Sequence, residues 1–357
     1  MVHFFSPRKL NRFLSFNHRR SKGFTLLELL VAMIIGSLIV IALLTLVVQL
    51  TETNQKDAAR SQVQQDMQAA TDFVAQELRE AVFVYNGECL QGNGTPTATT
   101  LATKCPGIVN HIPTEMVSAT RTPVLAFWRT KKLPKAISTL CGTAPNPQQL
   151  SNSETAKTNP LVQAGVPCLA GNSYSLVVYA IDKKIPGDTW SGNARLIRYE
   201  LSQFTDGATT QANQSTGYVN PLQDPKYKFQ QWPYASDGTS RQNVAVQPGR
   251  PVASPANPAV LVDFLDKEEA ADISCDGFGD AAKALTPSDT ASPRGFYACV
   301  RGGGVGTAAM LGENQDVLLV MKGNVSGQSG FNRDFNNKER ISPLQTRVLI
   351  RGVVDKP

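Results

Sequence analysis

The sequence has few of the residues from which most catalytic and metal sites are built. Only three of its 357 residues are histidines, His3, His18 and His111, and the first two lie in a basic N-terminal segment. The chain contains no HExxH pattern, no nucleophile elbow and no P-loop signature. These absences argue against a zinc protease, a serine hydrolase and a P-loop nucleotide-binding protein. We therefore expect a non-enzymatic protein without a cofactor or a metal ion.

Two short glycine-rich segments are weaker candidates for ligand binding. Residues 276–280 (DGFGD) resemble half of a calcium loop but lack the rest of its ligand pattern and the terminal Glu. Residues 301–306 (RGGGVG) are not followed by the lysine and hydroxyl residues that a phosphate-binding loop requires. The first segment is therefore expected to be a solvated turn without a metal ion, and phosphate binding is not expected at the second.

Positive charge is concentrated at the N-terminus. The net charge is +6, but six of the 35 Lys and Arg residues lie within residues 1–23, where there is no Asp or Glu. Without this segment the remaining cations equal the 29 Asp and Glu residues in number. The basic character thus belongs to a leader, and a nucleic-acid partner is not expected.

No CxxC pair occurs, which argues against a thioredoxin-like redox site. All six cysteines follow the apolar segment described below: Cys89, Cys105, Cys141, Cys168, Cys275 and Cys299. An even number on one side of a membrane span favours an oxidising compartment and disulfides over a zinc site, for which close ligand pairs are missing. Pairing in sequence order would close three long polar loops, but it is one of about fifteen connectivities.

Charged residues are also absent from Leu29 to Thr51. As a helix this run covers about 35 Å, enough to cross a hydrocarbon core of about 30 Å. It is longer than the apolar core of a secretory signal peptide, and no small-x-small cleavage site closes it. The basic flank lies before the run and Glu52 after it, so the positive-inside rule places residues 1–23 in the cytoplasm and the rest across the inner membrane.

One carboxylate, Glu28, lies at the start of this apolar run. A charge in the membrane costs about 2.5–3.5 kcal/mol on insertion scales, so a simple signal anchor does not explain it. Its context, residues 22–28 (KGFTLLE), resembles the type IV prepilin cleavage and methylation motif. That motif has Gly, then Phe, then small and apolar residues, then Glu at the fifth mature position, and every element occurs here.

The resemblance implies that a prepilin peptidase cuts between Gly23 and Phe24 on the cytoplasmic side and then N-methylates Phe24. Glycine suits this position because a backbone without a side chain can enter a narrow peptidase cleft. The new α-amine of Phe24 would pair with Glu28 of a neighbouring subunit in a filament and set its axial register. Glu28 is therefore an assembly residue by hypothesis; the alternative is a carboxylate that only stabilises the helix start.

Neither Gly nor Pro occurs between Ser37 and Asn86, so one helix is predicted from about Phe24 to Tyr85. Beyond Thr51 its apolar residues recur at spacings of three and four and form a single stripe: Ala59, Val63, Met67, Ala70, Val74, Leu78, Ala81 and Tyr85. We expect this stripe to pack against a globular head.

The head is rich in short β-type runs bounded by turn residues. The predicted strands are Val124–Trp128, Tyr174–Ile181, Ala194–Leu201, Ala259–Asp266, Phe296–Arg301, Asp316–Lys322 and Thr346–Val354. Long polar segments separate them, notably 86–122, 135–172, 205–258 and 276–295. The predicted fold is α+β, a pilin-like lollipop in which one long N-terminal helix packs on a single antiparallel β-sheet with long insertions.

This organisation divides the chain into four parts: residues 1–23, a leader that is removed; 24–51, a transmembrane and filament-core helix; 52–86, the amphipathic half of the helix; and 87–357, an extracytoplasmic β-rich head.

Later stretches extend the family resemblance: residues 67–85, 121–134, 189–206 and 346–353. They are similar to minor pilins of the PilW/PilJ type and, more closely, to the HpsC group of cyanobacterial hormogonium polysaccharide secretion pseudopilins. This implies a minor pseudopilin in a type IV pilus-like system that serves surface motility and polysaccharide export. The implied partners are the prepilin peptidase and N-methyltransferase, other pilin subunits and the inner membrane, with the exported polysaccharide as a further candidate.

Two other functions stay open on the sequence. A type II secretion minor pseudopilin has the same N-terminal signals, but its deletion would stop protein secretion and leave motility intact. A membrane-anchored polysaccharide-binding protein would stack sugars on Trp128, Trp190 and Trp232, although single aromatic residues near strand ends are more often core residues.

Overall fold

The fold is given by a computed structural model, which describes residues 23–143, 159–221, 229–243, 258–267, 273, 275–288, 295–305, 315–331 and 339–350. The chain forms two compact units, residues 1–54 and residues 55–357. A long helix, α1 (Leu26–Arg79), begins in the first unit and ends in the second.

The described part of the first unit is the apolar half of α1. Its large hydrophobic side chains are exposed; Leu38 and Ile41, for example, expose 61% and 60% of their surface. Among the described residues, α1 is the one helix that is long and apolar enough to cross a membrane, judged by its length and composition. The expected apolar helix is therefore present, and no other described part of the chain covers its apolar side chains.

In the second unit α1 becomes amphipathic. All eight residues of the predicted stripe are buried, most of them completely: Ala59, Val63, Met67, Ala70, Val74, Leu78, Ala81 and Tyr85. The prediction that the stripe forms core contacts is confirmed.

The helix ends earlier than predicted. It stops at Arg79, and Ala81–Val84 form a strand, so the assignment of residues 52–86 to the helix is wrong at its last residues. The sequence there (AVFV) is rich in β-branched and aromatic side chains, which favour a pleated, half-buried strand. Pairing with a neighbouring strand satisfies this backbone and outweighs the absence of a Gly or Pro stop signal.

The second unit contains nine described strands. They are β1 (Ala81–Val84), β2 (Arg121–Lys132), β3 (Asn172–Lys183), β4 (Ala194–Ser202), β5 (Ala259–Val262), β6 (Leu285–Thr286), β7 (Phe296–Arg301), β8 (Asp316–Met321) and β9 (Leu344–Leu349). Shorter α-helices connect them: α2 (Gly87–Gln91), α3 (Lys135–Thr143), α4 (Pro160–Gln163) and α5 (Ala281–Ala284).

The strands form two antiparallel sheets, and the prediction of a single sheet is wrong. The first sheet has the order β1-β2-β3-β4-β5 and the second the order β6-β7-β8-β9. The α+β class with antiparallel sheets is confirmed. All seven predicted strands are found, Phe296–Arg301 with the predicted bounds and the other six with shifted ends, whereas β1 and the two-residue β6 were not predicted. Residues 351–354 of the last predicted strand lie outside the described residues.

One large core joins α1 to both sheets. It contains Val63, Val74 and Leu78 of the helix together with Phe127 of β2 and Leu319 of β8. Because one face of each sheet turns toward the same helix, this core is buried from three sides.

A second core covers the opposite face of the five-stranded sheet. Neighbouring strand residues point to opposite faces, so Trp128 lies here while Phe127 belongs to the first core. The long segments predicted at 86–122 and 205–258 supply its cover, including Ile112 and Tyr218. Trp128 donates a hydrogen bond from Nε1 to the Tyr85 hydroxyl at 2.8 Å. The described residues of these insertions are thus part of the packed head.

Three disulfides close loops of the second unit. They join Cys89 to Cys105, Cys141 to Cys168 and Cys275 to Cys299. Each is a pair of cysteines that follow one another in the sequence, and closing loops of this size stabilises the fold by about 3 kcal/mol each in the chain-entropy model.

Candidate functional site

The first candidate site is the start of the apolar helix. Gly23, Phe24 and Thr25 precede α1 and are exposed, with Phe24 exposing 74% of its surface. A Cβ atom added to Gly23 would meet no atom within 4 Å. The peptide bond between Gly23 and Phe24 is therefore accessible to an enzyme from outside the fold.

Thr25 sets where the helix begins. Its hydroxyl accepts a hydrogen bond from the backbone N–H of Glu28 at 3.3 Å, and its carbonyl accepts one from Leu29 at 3.2 Å. Threonine is a favoured residue at this position because its side chain satisfies an N–H group that has no partner inside the helix. This local geometry fixes residues 23–25 outside the helix.

Glu28 occupies the first turn of α1, and its side chain is exposed. No described cation forms an ion pair with it. A carboxylate near a helix N-terminus is favoured by the helix dipole, which accounts for its position within one protein but not for its place in an apolar segment. The geometry leaves the carboxylate available to a cation of another chain.

A second feature, which the sequence analysis missed, is a buried ionic network at the end of α1. The Glu77 carboxylate, with 7% of its side chain exposed, binds the Arg198 guanidinium through two hydrogen bonds of 2.9 and 2.7 Å. Arg129 approaches the same carboxylate at 3.0 Å, and the Tyr179 hydroxyl donates a hydrogen bond to it. The network thus ties the helix to three neighbouring strands, β2, β3 and β4.

Glu200 extends this network along the sheet. Burial alone would raise the pKa of its carboxyl group, but the charges of Arg198 and Lys131 and the Ser175 hydroxyl lower the pKa to about 2. The contacts are short, at 2.8 Å from Arg198 and 2.7 Å from Ser175. Glu200 is therefore ionised throughout the neutral range and holds the two arginines in place.

The signal for this network is present but weak in the sequence. Glu77 lies three residues after Val74 and beside Leu78, so it falls on the apolar face of the helix. Arg198 shares its sheet face with Leu196 because strand residues two apart point the same way. Charges at inward positions mark buried ion pairs, but pairing them requires the strand register, which the sequence does not give.

Two of the three tryptophans are inaccessible to a sugar. Trp128 and Trp232 are completely buried. Trp190 is half-buried, and the guanidinium carbon of Arg195 lies 4.7 Å from its ring centroid. The prediction that Trp128 and Trp232 are core residues is confirmed. Neither ring is therefore available to stack on a polysaccharide.

The glycine-rich segments serve packing. Residues 276–280 form a turn beside the Cys275–Cys299 disulfide, and Phe278 in this turn is buried. Gly303 has a positive φ of 75°, and a Cβ atom there would lie 2.1 Å from the Val84 carbonyl oxygen. Glycine is required at that position because the backbones of two segments meet without room for a side chain.

Comparison with known proteins supports the N-terminal site. Residues 18–44 match the family described as the prokaryotic N-terminal methylation motif. The match includes Gly23, Phe24 and Glu28, and it indicates a type IV pilin-like or pseudopilin-like protein. Neither the curated proteins nor the solved structures yielded a match to this chain.

Proposed function

We propose that this protein is a minor pilin or pseudopilin, a structural subunit of a type IV pilus-like filament. The observation that carries the proposal is the methylation motif on an exposed segment directly before a long apolar helix. Proteins with this motif are structural subunits that a prepilin peptidase processes and that assemble with other pilin subunits. The apolar helix and the motif fit anchoring in the membrane followed by assembly.

In this proposal the peptidase cuts between Gly23 and Phe24, methylates the new N-terminus and leaves residues 24–51 as the membrane and filament-core helix. Before cleavage the chain is an inner-membrane protein with a cytoplasmic N-terminus and an extracytoplasmic head. The large head supports a minor subunit because one of its size would crowd a filament built from it alone.

Glu28 is the assembly residue of the proposal. In an apolar filament core an unpaired carboxylate costs several kcal/mol, and an α-ammonium group from the adjoining subunit removes that cost. The pairing geometry fixes the axial position of each added subunit. Support comes from the exposed carboxylate in the first helical turn and from its place within the matched motif.

The specific role that we propose is in surface motility and polysaccharide secretion. In this proposal the complete secretion system exports the polysaccharide, and this subunit is one structural part of it. This assignment rests on the resemblance of residues 67–85, 121–134, 189–206 and 346–353 to the HpsC group. Deletion of the gene should abolish both surface motility and polysaccharide release while protein secretion continues. Loss of protein secretion with normal motility would instead indicate a type II secretion pseudopilin.

Processing is tested with substitutions at two glycines that both have room for an added Cβ atom. A Cβ atom added to Gly23 or to Gly36 would meet no atom within 4 Å, so a side chain can start at either position without a clash at its Cβ. Gly23→Val should leave the unprocessed precursor in the membrane, whereas Gly36→Ala should be processed normally. Normal processing of Gly23→Val would contradict the proposed cleavage site.

Assembly is tested at Glu28 with Glu52 as the control, since both are exposed carboxylates of α1. Glu28→Ala should be processed but excluded from sheared filaments, whereas Glu52→Ala should be incorporated. Equal incorporation of the two variants would contradict the pairing between Glu28 and the α-amine.

A further inference from the structure

A groove in the second unit runs between α1 and strand β5. It has a volume of about 850 Å³ and is lined on one side by helix residues 62–73 and on the other by residues 259–264. Phe73 and Val260 in its walls expose 45% and 49% of their surface. The groove therefore offers apolar contacts that the described part of the head does not cover.

The two edge strands of the five-stranded sheet differ in the hydrogen-bond partners on their outer sides. At the β1 edge, the Gln315 side chain accepts a hydrogen bond from the Val84 N–H at 2.8 Å and donates one to the Val84 carbonyl at 2.7 Å. This amide satisfies both backbone groups of Val84 on the outer side of β1. At the other edge, no described strand pairs with the outer side of β5. An open edge beside an apolar groove is a surface on which an extended segment can add a strand.

The groove also carries negative charge. Three charged side chains line it, Asp66, Asp263 and Arg198, and the Arg198 guanidinium is already paired with Glu77 and Glu200. One carboxylate oxygen of Asp263, Oδ1, is buried without a hydrogen-bond partner among the described residues. Burial raises the pKa of Asp263, and the charges of Arg195 and Lys184 oppose that rise. A buried acceptor without a donor is unfavourable, and a cationic donor from a bound chain would supply the missing hydrogen bond.

We propose that β5 and this groove form a docking site for an extended segment of another protein. The segment pairs its backbone with the open edge of β5, places apolar side chains against Phe73 and Val260, and brings a Lys or Arg to Asp66 and Asp263. If the chain is a filament subunit, as proposed above, the donor of this segment is a neighbouring subunit.

The test uses the full-length protein in detergent and three synthetic peptides of alternating residues. One alternates Val and Lys, the second alternates Val and Glu, and the third is the Val–Lys peptide with backbone N-methylation on alternate residues. Binding is measured by fluorescence anisotropy. The Val–Lys peptide should bind at least about tenfold more tightly than either of the others, because the second has the wrong charge and the third cannot form the ladder.

Variants locate the binding. Asp66→Asn combined with Asp263→Asn should weaken the Val–Lys peptide by about tenfold or more. Asp72→Asn is the matched control, since Asp72 is an exposed aspartate of the same helix that does not line the groove, and it should leave binding unchanged.

Three results would overturn the docking site: equal binding of the Lys and Glu peptides, full binding of the N-methylated peptide, or equal effects of the Asp72 variant and the double variant. The peptides do not depend on processing at Gly23. Failure of the docking site and failure of the proposed filament function are therefore separate outcomes.

Discussion

Replacing Glu77 with alanine tests whether the buried network holds the helix to the sheet. In the folded protein the Glu77 carboxylate accepts two hydrogen bonds from Arg198 and one from the Tyr179 hydroxyl, and it forms an ion pair with Arg129. Removing one partner of a buried ion pair costs about 3–5 kcal/mol because it leaves charge uncompensated. Glu200 still faces both arginines in the variant, so we expect the lower part of this range.

The matched control is Glu80→Ala. Glu80 contacts the same Arg129 at 3.5 Å, but 57% of its side chain is exposed. Exposed ion pairs contribute about 0–1 kcal/mol. Each variant loses one carboxylate that contacts Arg129. The difference between their free energies of unfolding therefore measures the effect of burying that carboxylate.

The assay is urea unfolding of the detergent-solubilised protein followed by far-UV circular dichroism. Glu77→Ala should lower the free energy of unfolding by about 3 kcal/mol, seen as a lower midpoint with an unchanged slope. A Glu77→Ala, Arg198→Ala double variant should be less destabilised than the sum of the single variants. If Glu77→Ala and Glu80→Ala had equal free energies of unfolding, the assigned role of the network would be refuted.

Three further predictions concern the head. Since the folded pKa of Glu200 lies below its ordinary value of 4.5, its stabilisation is complete above that value. This stabilisation, on the order of 3 kcal/mol, is lost as pH falls toward about 2. The free energy of unfolding should therefore fall less steeply with decreasing pH in Glu200→Gln than in the unchanged protein, and an equal pH dependence would contradict this. Gln315→Ala orphans the buried N–H and C=O of Val84 and should cost about 1–3 kcal/mol per group in urea unfolding, whereas an unchanged midpoint would show that Gln315 does not cap β1. Gly303→Ala should destabilise the head more than Gly277→Ala, because of these two glycines only Gly303 lies against a backbone oxygen. Gly277→Ala adds only the cost of a positive φ, about 1–2 kcal/mol. Equal thermal midpoints of the two variants would contradict this.

The helical stripe was predictable because it depends on local periodicity. The six stripe residues within the helix, from Ala59 to Leu78, recur every three or four positions, and each of the six is buried. The same pattern misled at its end. Tyr85 fits the period by chance, but it is buried in the second core through the strand that follows the helix.

The division into two sheets could not be read from the chain. Each strand of the head has a local signal, but which strands pair depends on contacts between segments far apart in sequence. Gln315 illustrates this: its side chain bonds to Val84, 231 residues away. The buried ions of Glu77, Arg129 and Arg198 come together through the same long-range register.

The N-terminal site could be read more fully because its meaning lies in one short segment. Gly23, Phe24 and Glu28 are separated by a few residues, and the Thr25 cap between them is itself a local signal. The structure adds that residues 23–25 are exposed and that the helix starts directly after them.

The most direct test of the account is the N-terminus of the protein extracted from membranes of its native cells. Intact mass and N-terminal sequencing should give a chain that begins at Phe24 and carries one methyl group on its α-amine. A chain that still begins at Met1, or one cut beyond Thr51, would contradict the account.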